Sequence, residues 1–294
     1  MGLKAPLISE IAPDTWLVNE FGLNNMYILK GSERSLVIDC GSGFCDFRSI
    51  VESLVDNPYD LLITHGHSDH LGAIHQFEKA YMNDRDRFLL EDFDKKGINL
   101  YDGFLTNNNL HIGDWDIWDV NEDMICPGSF DTEVCPLHEG DVFDLGNRKI
   151  TCFDLPGHSP GHMYFIDDFS RIAFTGDCVN ADNGSKYVVS THIRRVQRLL
   201  DGYGVTYDRI FTGHTTYCGK LNVRSHSIQI VRNIADAYRA LLRGEAEFEW
   251  RTHHLYPDRY PPHRVIVYGE GEDRVVLAFN EKQLWEDGEE HIIP

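Results

Sequence analysis

The first forty residues alternate short apolar runs with polar turns, which is the pattern of β-strands rather than of helices. Strands are predicted at residues 15–18, 25–30, 35–40, 264–268 and 274–279. Gly31-Ser32 marks the turn between the second and the third of them. Segments near both ends of the sequence are therefore expected to lie in β-sheet.

Three segments are predicted to be helices, and the first and the third have apolar residues at helical spacing. Asp46 is the predicted N-cap of the first helix, which ends at Asn57-Pro58. The second helix is predicted at about residues 73–81. Asn222 is the predicted N-cap of the third helix, and Gly244 is its predicted stop. Together with the strands, these helices indicate an α/β chain.

Residues 91–135 interrupt this pattern, because they combine an Asn-Asn-Asn run with many acidic residues and show no sustained periodicity. A long irregular stretch inside a compact domain is usually functional or disordered. We therefore expect one domain over residues 1–294, with an irregular insertion at about 91–135 near the functional site. Within the insertion, Trp115 and Trp118 are candidate contacts to a substrate.

The net charge narrows the choice of partner. The chain has 294 residues, of which 42% are hydrophobic and 25% charged, as in ordinary globular proteins. Its formal net charge of −20 disfavours nucleic acids and anionic membranes, because both are bound through Lys and Arg. A small molecule is the expected partner, and a homodimer stays open.

The cysteines and the N-terminal residues bear on the compartment. Seven cysteines are scattered without a C-x-x-C pair, so we expect free thiols in a reducing environment. The N-terminal residues lack the apolar core of a signal peptide, and no apolar run approaches the ~20 residues that span a bilayer. A cytoplasmic protein is the expectation.

The stretch at residues 64–72, Thr-His-Gly-His-Ser-Asp-His-Leu-Gly, carries the clearest chemistry. It directly follows the apolar run 61–63, which is typical of a buried strand. The potential ligands are His65, His67, Asp69 and His70. Zinc, iron and manganese accept imidazole and carboxylate ligands. A polar surface loop would explain one or two histidines, but three with an aspartate at this spacing favour a site for one or two metal ions.

This H-x-H-x-D-H loop resembles that of the metallo-β-lactamase-fold superfamily of metal-dependent hydrolases. Residues 155–162 (L-P-G-H-S-P-G-H), 174–177 (F-T-G-D) and 211–214 (F-T-G-H) resemble the family's later ligand turns, in the family's order. Residues 36–41 resemble its V-I-D-x-G strand. The resemblance implies an α/β fold of the αββα type, with two mixed sheets flanked by helices. The motifs are most similar to the glyoxalase II-like (hydroxyacylglutathione hydrolase-like) branch.

The same resemblance implies two adjacent metal sites. The ligands of the first would be His65, His67 and His158, and those of the second Asp69, His70 and His214, with Asp177 between the two ions. The expected cofactors are two divalent ions, with zinc first and iron or manganese as alternatives. Each downstream turn also follows an apolar run, and sites in α/β folds gather where several strands end. Glycines before the ligands, such as Gly213, permit tight turns close to a metal.

The implied reaction is hydrolysis of a small ester, thioester or lactone by a hydroxide held between two metal ions, with Asp69 as the catalytic residue. A mononuclear-iron persulfide dioxygenase shares the H-x-H-x-D-H loop and stays an alternative, as does a phosphodiesterase of the same fold. His162 is a candidate for the substrate side or for supporting the ligands, and Tyr217 for an oxyanion contact. Among histidines without a motif, His192 and His253-His254 are the ones to examine for proximity to the site.

Overall fold

Two large β-sheets form the centre of the fold. The computed structural model describes residues 5–22, 24–96, 124–126, 128–179, 188–201, 206–214, 225–252, 262–279, 281–288 and 290–293. Within these ranges, no helix combines the length and the apolar character needed to cross a membrane.

The first sheet follows the order of the sequence. Its strands are β1 (Leu7–Ala12), β2 (Thr15–Glu20), β3 (Asn24–Lys30), β4 (Ser35–Ile38), β5 (Tyr59–Leu62), β6 (Lys79–Met82) and β7 (Glu133–Pro136). The first four strands pair antiparallel, and β4 to β7 pair parallel. This sheet is therefore mixed, and the carboxyl end of β5 opens onto the loop that carries the H-x-H-x-D-H motif.

The second sheet is also mixed. Its strands are β8 (Val142–Asp144), β9 (Lys149–Asp154), β10 (Met163–Asp167), β11 (Ile172–Phe174), β12 (Arg209–Phe211) and β13 (His226–Ser227). They lie in the order β13-β12-β11-β10-β9-β8, and only β11 and β12 pair parallel. A small antiparallel sheet of β14 (Glu247–Arg251), β15 (His263–Tyr268) and β16 (Val275–Ala278) follows.

The helices lie outside the two large sheets. They are α1 (Phe47–Leu54), α2 (Ser68–Leu71), α3 (Arg87–Lys96), α4 (Val189–Asp201) and α5 (Gln229–Arg243), with 3₁₀ turns at 74–76, 84–86 and 271–273. One buried cluster joins the inner faces of both sheets, for example through Leu36 and Phe165. A second packs α1 on the first sheet, and a third packs α4 and α5 on the second. The expected αββα sandwich is confirmed.

Several local predictions are also confirmed. The Asp46 side chain accepts a hydrogen bond from the Ser49 N–H at 3.1 Å, so it caps α1 as expected. Gly244 ends α5 with a φ of 73°, a left-handed conformation that favours glycine. The helix itself begins at Gln229, later than a cap at Asn222 would require, and Asn222 lies outside the described residues.

The prediction of a helix at residues 73–81 is wrong. Residues 74–76 form a single 3₁₀ turn, and Lys79–Met82 is strand β6, paired parallel between β5 and β7. Ala80 and Met82 are buried, whereas Lys79 is exposed and Tyr81 only partly buried, which is the two-residue period of a strand. The segment is too short for this period to be distinguished in the sequence from a helical one.

The segment predicted to be an irregular insertion is regular at both of its ends. Residues 91–96 continue helix α3, and residues 133–135 belong to strand β7. Trp115 and Trp118 lie outside the described residues. The expected contact of this segment with a substrate therefore stays a prediction.

Candidate metal centre

The predicted ligand turns leave four strand ends and meet at one edge of the sandwich. The loop after β5 carries His65 and His67, and α2 adds Asp69 and His70. The second sheet contributes His158 after β9, Asp177 after β11 and His214 after β12. Their ligand atoms form three overlapping groups, in each of which the atoms lie within 4.8 Å of one another. All seven predicted ligands are thus brought together.

Three histidines form the first group. The Nδ1 atom of His67 lies 3.0 Å from His65 Nε2 and 2.8 Å from His158 Nε2. Zinc–nitrogen bonds are about 2.0–2.1 Å long, so a tetrahedral ion needs nitrogens only slightly farther apart than these. His65 is fully buried, and 11% of the His158 side chain is exposed. The group therefore has a closed inner side and a more open outer side.

The second group combines a carboxylate with two histidines. The Oδ2 atom of Asp69 lies 3.3 Å from His214 Nε2 and 3.6 Å from His70 Nε2. Asp177 approaches both groups, because its Oδ2 lies 3.1 Å from His214 Nε2 and 3.5 Å from His158 Nε2. This carboxylate is thus placed between the two sets of donors, as the sequence motif implied.

The site concentrates negative charge that requires a positive partner. Burial raises the pKa of Asp177, but the imidazoles of His214 and His70 outweigh burial and hold it well below its usual range. Burial lowers the pKa of His70, and the carboxylates of Asp69, Asp177 and Asp39 reverse this effect and raise it to about 10. In the metal-free chain, a proton on His70 therefore balances part of this charge, and a divalent cation could replace it.

The group of three histidines, unlike the group that contains Asp69, has no carboxylate. Burial is the main cause that lowers the pKa of His65 well below its usual range, and the neighbouring His70 lowers it further. A neutral imidazole keeps a lone pair for a metal ion. One half of the site thus contains the neutral imidazole of His65 beside two further histidines, and the other half combines carboxylates with histidines.

Asp39 holds His70 from behind, a role that the sequence did not reveal. Its Oδ2 lies 2.9 Å from His70 Nδ1 and accepts the Thr64 hydroxyl at 2.8 Å, while its Oδ1 accepts the Thr64 N–H at 2.7 Å. Asp39 has a φ of 59°, a strained conformation for a residue other than glycine, and is buried. With Nδ1 donating to Asp39, the Nε2 atom of His70 faces the ligand group.

Strand β3 anchors the last ligand turn to the first sheet. The side chains of Asn25 and Tyr27 donate to the Thr212 carbonyl at 3.0 and 2.6 Å, and the Asn25 N–H donates to the Gly213 carbonyl at 2.7 Å. Asn24 donates in addition to the carbonyl of Asp69. Asn24 and Asn25 are buried at the start of a strand that continues with Met26 to Leu29, and two adjacent asparagines before this run are the signal by which the sequence could have identified them.

Gly213 lets the turn reach the other ligands. A Cβ atom at this position would lie 2.4 Å from Asp177 Oδ1 and 2.6 Å from His70 Cε1. No side chain fits in this space, so glycine is required here for close approach rather than for a turn conformation.

His162 packs directly against two of the predicted ligands, His65 and Asp177. It is fully buried, its ring stacks on that of His65 at 4.8 Å, and its Nε2 accepts the Asp177 backbone N–H at 3.1 Å. His192 is buried behind the second ligand turn, residues 155–162, where a Cβ on Gly157 would lie 2.8 Å from its Nδ1. Tyr217 and His253-His254 lie outside the described residues.

The donor set fits divalent metal ions. Within the described part of the chain, the buried Nε2 atom of His70 has no hydrogen-bond partner, and it lies 3.6 Å from both Asp69 Oδ2 and Asp177 Oδ1. A buried polar atom without a partner is costly, and an ion between this nitrogen and the two carboxylates would supply the missing contact.

Comparisons with known proteins agree with this geometry. A family model described as the metallo-beta-lactamase superfamily matches residues 19–217, more than half of the 294 residues. Hydroxyacylglutathione hydrolase GloC of Haemophilus influenzae is 29% identical over 170 residues, which cover 54% of this chain and 68% of that protein. Acyl-coenzyme A thioesterase MBLAC2 of Gallus gallus is 29% identical over 221 residues, or 66% of this chain and 73% of that protein.

A solved structure shows the same fold. The DIM-1 metallo-beta-lactamase matches 79% of this chain and 96% of its own, with a TM-score of 0.53 and 14% sequence identity. Because only 14% of the aligned residues are identical, the similarity shows a shared arrangement of sheets and helices and nothing about function.

Proposed function

The chain belongs to the metallo-beta-lactamase superfamily, and from this membership we propose that it hydrolyses thioesters of small acyl groups by means of two bound divalent metal ions. The observation that supports two ions is the position of Asp177, whose carboxylate lies within 3.6 Å of a nitrogen of His158, His70 and His214. His158 belongs to the first donor group, and His70 and His214 belong to the second. A single ion would leave one group of converging ligands without a function.

The ions would polarise the carbonyl oxygen of the substrate and lower the pKa of bound water to ~7, which supplies a nucleophile at neutral pH. The protein's own residues determine the direction of approach. His65 and His70 are fully buried, whereas 38% of the Asp69 side chain is exposed. We therefore expect the substrate to reach the site from the side of Asp69, whose carboxylate would accept a hydrogen bond from the attacking water.

Thioesters are proposed as substrates because of the relatives. Hydroxyacylglutathione hydrolase and acyl-coenzyme A thioesterase are both named for acyl groups carried on a thiol. They share the reaction and differ in the carrier, so the acyl–sulfur bond is the common feature that we transfer to this chain. Oxygen esters and lactones share the same carbonyl chemistry and are the second class to examine.

The test is a substrate screen with defined metal content. Protein stripped of metal is reconstituted with zinc, manganese or iron, and thiol release is followed from acyl-coenzyme A and from S-acylglutathione, beside esters, lactones and phosphodiesters. We expect metal-dependent cleavage of thioesters. Asp177→Ala should lose one ion and the activity, whereas Asp144→Asn, which changes an exposed carboxylate on β8, should keep both.

Two outcomes would overturn the proposal. The first is protein that holds two ions and cleaves no thioester or ester. The second is protein that holds one iron equivalent and consumes oxygen with a persulfide, which is the result expected of a dioxygenase.

A further inference from the structure

A buried carboxylate outside the ligand motifs holds two of the ligand turns together. Asp86 lies at the end of the 3₁₀ turn 84–86, is fully buried, and accepts three hydrogen bonds. Its Oδ2 accepts the Gly66 N–H at 2.9 Å and the Ser159 hydroxyl at 2.5 Å, and its Oδ1 accepts the Gly161 N–H at 2.6 Å. Both oxygens are thus used, and every donor belongs to a ligand turn.

These donors lie in loops that follow strands of two different sheets. Gly66 separates His65 from His67 in the loop after β5, and Ser159 directly follows His158 in the turn after β9. The three histidines that form the first donor group therefore stand on two backbone segments that a single carboxylate connects. The positions of these three histidines therefore depend on Asp86 through the backbone, which requires no direct contact between Asp86 and the imidazole rings.

The backbones of both ligand turns pack closely against Asp86. A Cβ on Gly66 would lie 2.9 Å from the Asp86 carbonyl oxygen, and a Cβ on Gly161 would lie 2.8 Å from the Asp86 nitrogen and 2.9 Å from its Cγ. Both glycines are thus in close contact with Asp86. Because the two turns contact Asp86 on opposite sides, the size of this residue sets the distance between them.

We infer that Asp86 is a positioning residue that sets the metal affinity of the three-histidine site, while Asp39 serves the other site through His70. The inference rests on the proposed two-ion site. It predicts that the two ions depend on different buried carboxylates: loss of the Asp86 acceptor separates His158 from His65 and His67, and leaves the Asp69, His70 and His214 group intact.

The test replaces Asp86 by asparagine and measures the two affinities separately. An amide has one acceptor oxygen where the carboxylate has two, so at least one of the three N–H and O–H donors loses its partner. Cobalt(II) is titrated into metal-free protein, and its visible absorption reports the ligands of each equivalent. We expect the affinity of one equivalent to fall roughly 10- to 100-fold, as for other residues that orient metal ligands, while that of the other is unchanged.

Two further variants separate positioning from general stability. Asp167→Asn alters a buried carboxylate that pairs with Arg148 at the carboxyl end of β10, the end opposite to His162, so it should lower stability without changing either affinity. Ser159→Ala removes one of the three hydrogen bonds and should weaken the same equivalent by a smaller factor. It also keeps the test decisive if Asp86→Asn does not fold.

The outcomes distinguish the inference from the function on which it rests. If Ser159→Ala and Asp86→Asn bind both equivalents as the wild type does, or weaken both equally, Asp86 is not a positioning residue for one site. If the wild type itself takes up fewer than two ions, the proposed two-ion function fails instead.

Discussion

Replacing Asp39 by asparagine removes one acceptor from beneath His70 and leaves the shape of the side chain nearly unchanged. The carboxylate now serves three donors, the N–H and hydroxyl of Thr64 and the Nδ1 of His70, at 2.7, 2.8 and 2.9 Å. Asparagine tolerates the positive φ of this position about as well as aspartate does. The substitution therefore tests the hydrogen bonds and not the backbone.

The amide can adopt two orientations, and each has a cost. If its oxygen faces His70, its NH₂ group meets the Thr64 N–H, and this buried donor is left unpaired at a cost of about 1–3 kcal/mol. If its NH₂ group faces His70, Nδ1 must accept and Nε2 must carry the proton, so Nε2 loses its lone pair for a metal. We expect the ion held by Asp69, His70 and His214 to bind roughly 10- to 100-fold more weakly, or about 1.4–2.7 kcal/mol.

The assay is competition for zinc between the protein and a chromophoric chelator, combined with metal analysis after dialysis. One equivalent should weaken by this factor and the other should keep its affinity. Thermal unfolding of the metal-free variant checks that the fold persists. The reasoning is refuted if Asp39→Asn binds both equivalents with wild-type affinity while remaining folded.

Three further variants address other parts of the structure. Gly213→Ala should displace Asp177 and His70 and lower the metal content, because the new Cβ would lie 2.4 Å from Asp177 Oδ1. The control is Gly244→Ala, which has nothing within 4 Å of the new Cβ and should keep the wild-type metal content. Asp69→Asn should lower kcat more than its metal content falls, since an amide only partly replaces a carboxylate acceptor; near-wild-type turnover in fully loaded protein would contradict this role. Arg148→Met should leave Asp167 buried without its charged partner and lower the free energy of unfolding by ~3–5 kcal/mol in a denaturant titration, with metal binding unchanged.

The ligands could be predicted from the sequence because each one lies in a short local pattern. The H-x-H-x-D-H loop and the three later turns each place a ligand within a few residues of the end of an apolar run. A strand that ends at the edge of a sheet delivers such residues to a common place whatever the details of packing. The αββα arrangement followed from the family resemblance, since the periodicity of the strands and helices indicated only an α/β chain.

The residues that hold the ligands could not be predicted in the same way. Asp86 bonds to Gly66 and Gly161, which lie 20 and 75 positions away along the chain, and Asp39 bonds to His70 from 31 positions away. Contacts at such separations depend on how the sheets pack. Although residues 36–41 resemble the family's strand, no local pattern identifies the partner of Asp39 or of Asp86. The helix prediction at 73–81 fails for a related reason, because strand β6 is defined by its pairing with β5 and β7, which are distant from it in sequence or separated from it by a loop.

The most direct test of a two-metal thioesterase is a titration of activity with zinc. Metal-free protein receives zinc in steps of a fraction of an equivalent, and thiol release from an acyl-coenzyme A and from an S-acylglutathione is measured at each step. We predict that the rate continues to rise until two zinc ions are bound per chain. Full activity at one equivalent, or two bound ions without thiol release, would contradict the proposed function.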